Sequence, residues 1–134
     1  MDDTDDLTGV KVMVIDDSNT IRRSAEIFLT QSKCEIILAA DGFDAMAKII
    51  DSHPDVIFVD IMMPRLDGYQ TCTLIKRNSH FKSTPIIMLS SKDGLFDRAR
   101  GRMVGSDEYL TKPFTKESLL KAVQKYAFKR KATA

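Results

Sequence analysis

Five polar residues stand where strand-like runs end, four of them after apolar ones. Asp16 and Asp17 follow VKVMVI, Asp60 follows VIFV, Ser90 follows PIIML, and Lys112 follows DEYLT. Carboxylates gathered a few ångströms apart repel one another unless a cation neutralises them. A hard divalent ion with oxygen ligands does so, and a water-rich site with few carboxylates suits Mg²⁺. A hydroxyl and an ammonium opposite such an ion fit the other oxygens of a transferring phosphoryl group, where positioning and charge neutralisation are most of the chemistry. The set reads as a phosphoryl-transfer centre. Asp60 is its candidate nucleophile, forming an acyl phosphate; Asp16, Asp17 and Asp60 are its metal carboxylates; Ser90 and Lys112 are its phosphate contacts. Taken singly, each is more often a loop residue or a cap: Asp17 could merely help cap a helix, and Ser90 could merely sit in a turn. Their convergence is the telling point, and it needs a fold that brings them together.

Residues 56–60 run apolar into a carboxylate, and Pro64 follows soon after. Such a run suits a strand buried on both faces, as in a parallel sheet. Residues 10–15, 34–39 and 86–89 read as further strands, and the half-polar 107–110 as an edge strand. A first helix begins near Thr20, capped by Ser18 or Asn19, with Ile21, Ala25, Phe28 and Leu29 inward. Phe43, Met46, Ala47 and Ile50 form the stripe of a second helix, which His53-Pro54 breaks. After the Leu66-Asp67-Gly68 turn, a third helix with Tyr69, Cys72 and Ile75 inward reaches about Arg77, and a polar loop covers 78–84. A fourth helix over about 94–104 carries a thin stripe of Leu95, Ala99 and Met103, with Gly105 at its C′ position. Thr115 caps a fifth, with Leu119, Leu120, Val123, Tyr126 and Ala127 inward. Alternating strands and helices imply an α/β three-layer sandwich of the flavodoxin-like (βα)5 kind, with a parallel five-stranded sheet in the order 2-1-3-4-5. That order makes the first and third strands neighbours, which places Asp16, Asp17 and Asp60 in one cleft at the sheet's carboxyl edge. Ser90 and Lys112 share that edge.

A chain of 134 residues suggests one domain, read as residues 9–128, between a flexible acidic tail over 1–8 and a flexible basic tail over 129–134. Few residues follow the fifth helix, so no DNA-binding domain is expected. A net charge of +1 gives no electrostatic reason to expect nucleic acid. Cys34 and Cys72 lack CxxC or His/Cys company and read as buried free thiols. No apolar run is long enough to span a membrane, and the acidic start is unlike a signal peptide, so a cytoplasmic location is expected.

VIDDS at 14–18, FVDIMMPxxDG at 58–68, Ser90 and YLTKPF at 109–114 together resemble the receiver domain of two-component response regulators, the CheY-like family. The resemblance implies phosphate taken from a histidine kinase onto Asp60. It implies Mg²⁺ held by Asp17, Asp60 and the Met62 backbone carbonyl, with Asp16 acting through water. Lys112 is then the phosphate-binding lysine and Lys112-Pro113 a cis peptide. Ser90 and Tyr109 form the switch pair, with Tyr109 turning inward on activation; read without the resemblance, Tyr109 is an edge-strand tyrosine with its hydroxyl in water. Ser91 stands where the family commonly has a small apolar residue, making the entrance more polar. VIFVDIMMPRLDGYQTC and MLSSKDGLFDRARGR further resemble stand-alone receivers of the chemotaxis-like pathway controlling type IV pilus twitching motility.

The function expected is thus a phosphorylation-dependent binding protein, monomeric or at most a weak dimer. It catalyses only its own phosphorylation and dephosphorylation. The thinly striped fourth helix, fifth strand and fifth helix form its moving, partner-binding face, where Arg98, Arg100 and Arg102 are partner contacts or a solvated face. A phosphorelay shuttle and a flagellar-chemotaxis regulator share these features. A Mg²⁺-dependent phosphohydrolase of the haloacid-dehalogenase type would want a DxD nucleophile on the first strand and a cap domain. A flavin or nucleotide carrier would want a Gly- or hydroxyl-rich loop where Asp16-Asp17 stands.

Overall fold

The computed structural model describes residues 7–91 and 95–133. Strands β1 (Lys11–Ile15), β2 (Glu35–Ala39), β3 (Val56–Asp60), β4 (Ile86–Ser90) and β5 (Glu108–Thr111) alternate with helices α1 (Asn19–Gln31), α2 (Gly42–Ser52), α3 (Gly68–Arg77), α4 (Leu95–Met103) and α5 (Lys116–Thr133). All strand pairs are parallel and the order is β2-β1-β3-β4-β5, as the alternation of elements implied.

Successive side chains of a strand face opposite ways, so the apolar runs feed two cores. Val12, Val14, Val56, Phe58, Ile87 and Leu89 meet Ala25 and Leu29 of α1 and Leu119, Val123 and Ala127 of α5. Met13, Ile15, Ile57, Val59, Ile86 and Met88 meet Ala45 and Ile49 of α2 and Tyr69, Cys72 and Ile75 of α3. Every residue of β3 is buried, which is why its sequence shows no polar alternation.

Local chemistry sets the helix ends. Ser18 Oγ accepts the Ile21 amide at 3.3 Å and starts α1. Thr115 Oγ1 accepts the Ser118 amide while Ser118 Oγ accepts the Thr115 amide, both at 3.0 Å, and α5 begins there. His53 leaves α2 in the left-handed region at φ 46°, in front of Pro54. Gly105, at φ 94°, closes α4: its amide donates to Arg102 O and the Ser106 amide to Gly101 O.

Several sequence expectations need correction. Most of the apolar stripe read as the inner face of α2 points outward: Phe43 and Ile50 are 55% and 60% exposed and Ala47 is exposed too, while Met46 is half-buried against the core. The helix instead docks through Gly42, Ala45 and Ile49, because small residues let it approach closely; a Cβ on Gly42 would lie 2.4 Å from Thr71 Oγ1. On α4, Ala99 is exposed and Met103 is 86% exposed, whereas Gly101 is buried near Met88. Periodicity weighed apolar bulk, whereas Gly42 and Ala45 of α2 and Gly101 of α4 are buried; the side chain of Leu95 lies outside the described residues. Phe81, inside the expected polar loop, is fully buried.

Leu7, expected within the acidic tail, is buried in the core, and its amide donates to Ser32 O at 2.8 Å. Asp2, Asp3, Asp5 and Asp6 lie outside the described residues, as do the side chains of Lys129, Arg130 and Lys131. Helix α5 continues to Thr133, beyond the boundary at 128. Cys72 is buried, Cys34 is half-buried, and both are free thiols. No helix among the described residues is long and apolar enough to cross a membrane.

On the outer strand β2, two α2 side chains meet main-chain groups. Lys48 Nζ donates to Leu38 O at 2.7 Å, and Asp44 Oδ2 accepts the Ala40 amide at 3.0 Å.

Candidate functional site

Strand register brings the polar residues together. Ile15 pairs with Val59 and Asp60 with Leu89, so the residues after β1 lie beside the end of β3 at the carboxyl edge. Ser90 pairs with Thr111, and the Lys112 amide donates to Ser90 O at 2.6 Å. All four loops therefore open onto one cleft.

Asp16 is fully buried and Asp60 is 3% exposed, while Asp17 faces solvent. A carboxylate oxygen from each lies within 4.8 Å of the others. Lys112 Nζ sits between the two buried ones, 3.0 Å from Asp60 Oδ1 and 3.2 Å from Asp16 Oδ2. Asp16 Oδ1 accepts the Ser18 amide at 2.9 Å, which ties the carboxylate to the start of α1. The Met62 amide approaches Asp60 Oδ1 at 3.4 Å.

Burial pushes the Asp60 carboxyl up to about 6 from an ordinary 3.8; the neighbouring Asp16 charge adds to this, and Lys112 pulls the other way. Burial lowers the Lys112 ammonium's pKa, yet the Asp60 and Asp16 carboxylates outweigh that and leave it raised. One ammonium against three carboxylates leaves the cluster anionic. Such a set can hold a hard cation through oxygen, and Lys112 can then turn to a second anion.

Ser90 is buried at the end of β4. The Lys112-Pro113 peptide is cis. Tyr109 is half-buried beneath the Arg98 guanidinium, 5.2 Å from its ring centroid. Its hydroxyl is buried without a hydrogen-bond partner, which differs from the water-facing hydroxyl expected of an edge strand at rest. Arg98, Gly101, Arg102, Ser106 and Tyr109 line a cavity of about 230 Å³ between α4 and β5.

Arg22 is a participant the sequence reading missed. Its guanidinium donates to Asp16 O and to Asn19 Oδ1, bracing the loop that carries Asp16 and Asp17. The available signal was its place six residues after Asp16, on the first turns of the helix leaving the site.

Comparison with known proteins bears on the same cleft. A family model described as the response regulator receiver domain matches residues 12–124. Protein PilG of Pseudomonas aeruginosa is 73% identical over 116 residues, 87% of this chain and 86% of that protein. The probable transcriptional regulator ycf27 of Porphyridium aerugineum is 39% identical over 109 residues, 81% of this chain and 44% of that protein. Among solved structures, the Vibrio cholerae chemotaxis protein CheY4 superposes with a TM-score of 0.85 at 36% identity, covering 87% of this chain and 98% of that one.

Proposed function

This chain belongs to the response regulator receiver domain family, and on that footing we propose that Asp60 accepts a phosphoryl group from a histidine kinase in a Mg²⁺-dependent reaction. The observation that carries the proposal is the Lys112 ammonium shared between Asp60 and Asp16 within a three-carboxylate cluster. The donor set is hard and anionic, which suits Mg²⁺. Asp17, Asp60 and the Met62 carbonyl would hold it, with Asp16 acting through water. When bound, Mg²⁺ offsets the carboxylates and the charge that develops on the phosphoryl oxygens.

An Asp60 carboxylate oxygen attacks phosphorus, and the bond from phosphorus to the kinase histidine nitrogen breaks. Lys112 pairs with one phosphoryl oxygen, and the Ser90 hydroxyl donates to another. Water later cleaves the acyl phosphate and restores the carboxylate. The protein acts as a catalyst only in these two steps on itself.

Phosphorylation adds about −1.5 to −2 charges. Ser90 moves toward them, and Tyr109 turns further inward to fill the space left behind. The face of α4, β5 and α5 then changes its affinity for an output protein, within the limit set by the differential affinity of phosphate for the two states. The cavity beside Tyr109 and the seating of α4 on Gly101 support a face that can rearrange. The identity with PilG and the motifs shared with stand-alone pilus-pathway receivers support a role in chemotaxis-like control of type IV pilus twitching motility; the chain would act in the cytoplasm as a monomer or weak dimer, without nucleic-acid binding.

The test is labelling from a small acyl phosphate donor with Mg²⁺. Asp60→Asn takes up no phosphate; undiminished labelling of that variant would overturn the assignment. Capture of the output protein by beryllofluoride-loaded but not unloaded chain tests the switch.

A further inference from the structure

Gly68 opens α3 directly behind Asp60, and its amide donates to Ile61 O at 2.9 Å. The turn is locked: Asp67 Oδ1 accepts the Gln70 amide at 2.8 Å, and Gln70 Oε1 accepts the Asp67 amide at 2.9 Å. A Cβ built on Gly68 would lie 2.3 Å from Asp60 O, 2.7 Å from Ile61 Cα and 2.9 Å from the Asp60 carbonyl carbon. All three are main-chain atoms, which cannot rotate aside. Gly68 is not among the glycines with positive φ, so its place calls for space and not for a special conformation. On the opposite side, the Ile61 amide donates to Leu89 O at 3.0 Å and holds the strand end against β4.

Gly42 occupies the corresponding first position of α2 and makes a control. A Cβ there would meet Thr71 Oγ1 at 2.4 Å and Leu66 Cδ2 at 2.6 Å, both side-chain atoms.

We infer that Gly68 is a positioning residue for Asp60: its missing side chain lets α3 seat against the Asp60-Ile61 peptide and so sets where the carboxylate meets Lys112. The catalytic consequence rests on the phosphoacceptor reading of Asp60; the geometry does not. Ordinary contact begins near 3.4 Å, so a methyl group must push the peptide or the helix by about 1 Å. Reacting groups are held to within about 0.5 Å, and a misplacement of about 1 Å can cost on the order of a hundredfold in rate.

The experiment compares Gly68→Ala with Gly42→Ala and the parent chain. Folding is followed by circular dichroism, Mg²⁺ affinity by calorimetric titration, phosphorylation by a small acyl phosphate donor, and the Ile61 and Met62 amides by NMR without metal. Gly68→Ala is expected to stay folded, to shift both amide signals, and to lose about tenfold in Mg²⁺ affinity and about a hundredfold in phosphorylation rate at saturating Mg²⁺. Gly42→Ala is expected to lose stability while its Mg²⁺ affinity and rate stay within twofold of the parent. If Gly68→Ala unfolds at room temperature, it is measured at low temperature in sucrose, which favours the compact state. Parent-like amide signals, or a loss confined to stability as in Gly42→Ala, would overturn the inference. A parent chain that takes no phosphate would instead defeat the proposed function, and the amide signals would still decide the role of Gly68.

Discussion

Asp60→Asn is expected to make the metal-free protein more resistant to urea at pH 7.5 than the parent chain. The reason is the position of the Asp60 carboxyl, which burial and the Asp16 charge push up to about 6 from 3.8. Between about pH 4 and pH 6 the folded chain keeps a proton that the unfolded chain has released. Stability present below the unfolded value is therefore lost as pH rises through the folded one. A displacement of about 2 pH units corresponds to roughly 3 kcal/mol, with the attraction of Lys112 already counted. Asn carries no charge and resembles the protonated acid, so a gain of about 2–3 kcal/mol is expected at pH 7.5, shrinking toward zero near pH 4. Urea unfolding followed by circular dichroism from pH 4 to pH 8, with a chelator present, measures it. A variant no more stable than the parent at pH 7.5, or a margin that does not change with pH, would refute the reasoning. Mg²⁺ at about 100 times its dissociation constant then stabilises the parent by roughly 2.7 kcal/mol, and the variant much less.

Lys112→Ala removes the ammonium between the two buried carboxylates, so calorimetry should show Mg²⁺ bound more tightly, on the order of tenfold, while phosphorylation slows. Tyr109→Phe deletes a buried hydroxyl that has no partner and should raise stability to urea by about 1 kcal/mol. Adjacent residues on α2 should respond oppositely: Ile49→Ala costs about 2–5 kcal/mol, and Ile50→Ala stays within about 0.5 kcal/mol in the same assay.

The strand order and the cleft could be read from the sequence because buried parallel strands are uninterrupted apolar runs, and the residue ending each run must sit at an edge. VIFVD and PIIMLS carry that signal directly, and the observed register sets Asp60 beside the residues after β1. Helix faces were less legible. In α2 the bulky residues Phe43 and Ile50 outweigh Ala45 in any periodicity count, yet close packing favours the small ones. Contacts such as Arg22 with Asp16 O, or Gly68 against Asp60 O, leave no trace in a hydrophobic pattern, because they depend on which main-chain atoms face a side chain or its absence.

The outer strand β2 has a consequence for life at high local concentration. An unpaired strand edge is a template on which a second chain can build an extended sheet. Here Lys48 occupies Leu38 O and Asp44 occupies the Ala40 amide, so α2 lends its own strand the partners a stranger would offer. An incoming strand must first break both contacts and strip water from a lysine. Edge-to-edge pairing of β2 between copies is thereby opposed at these two main-chain groups.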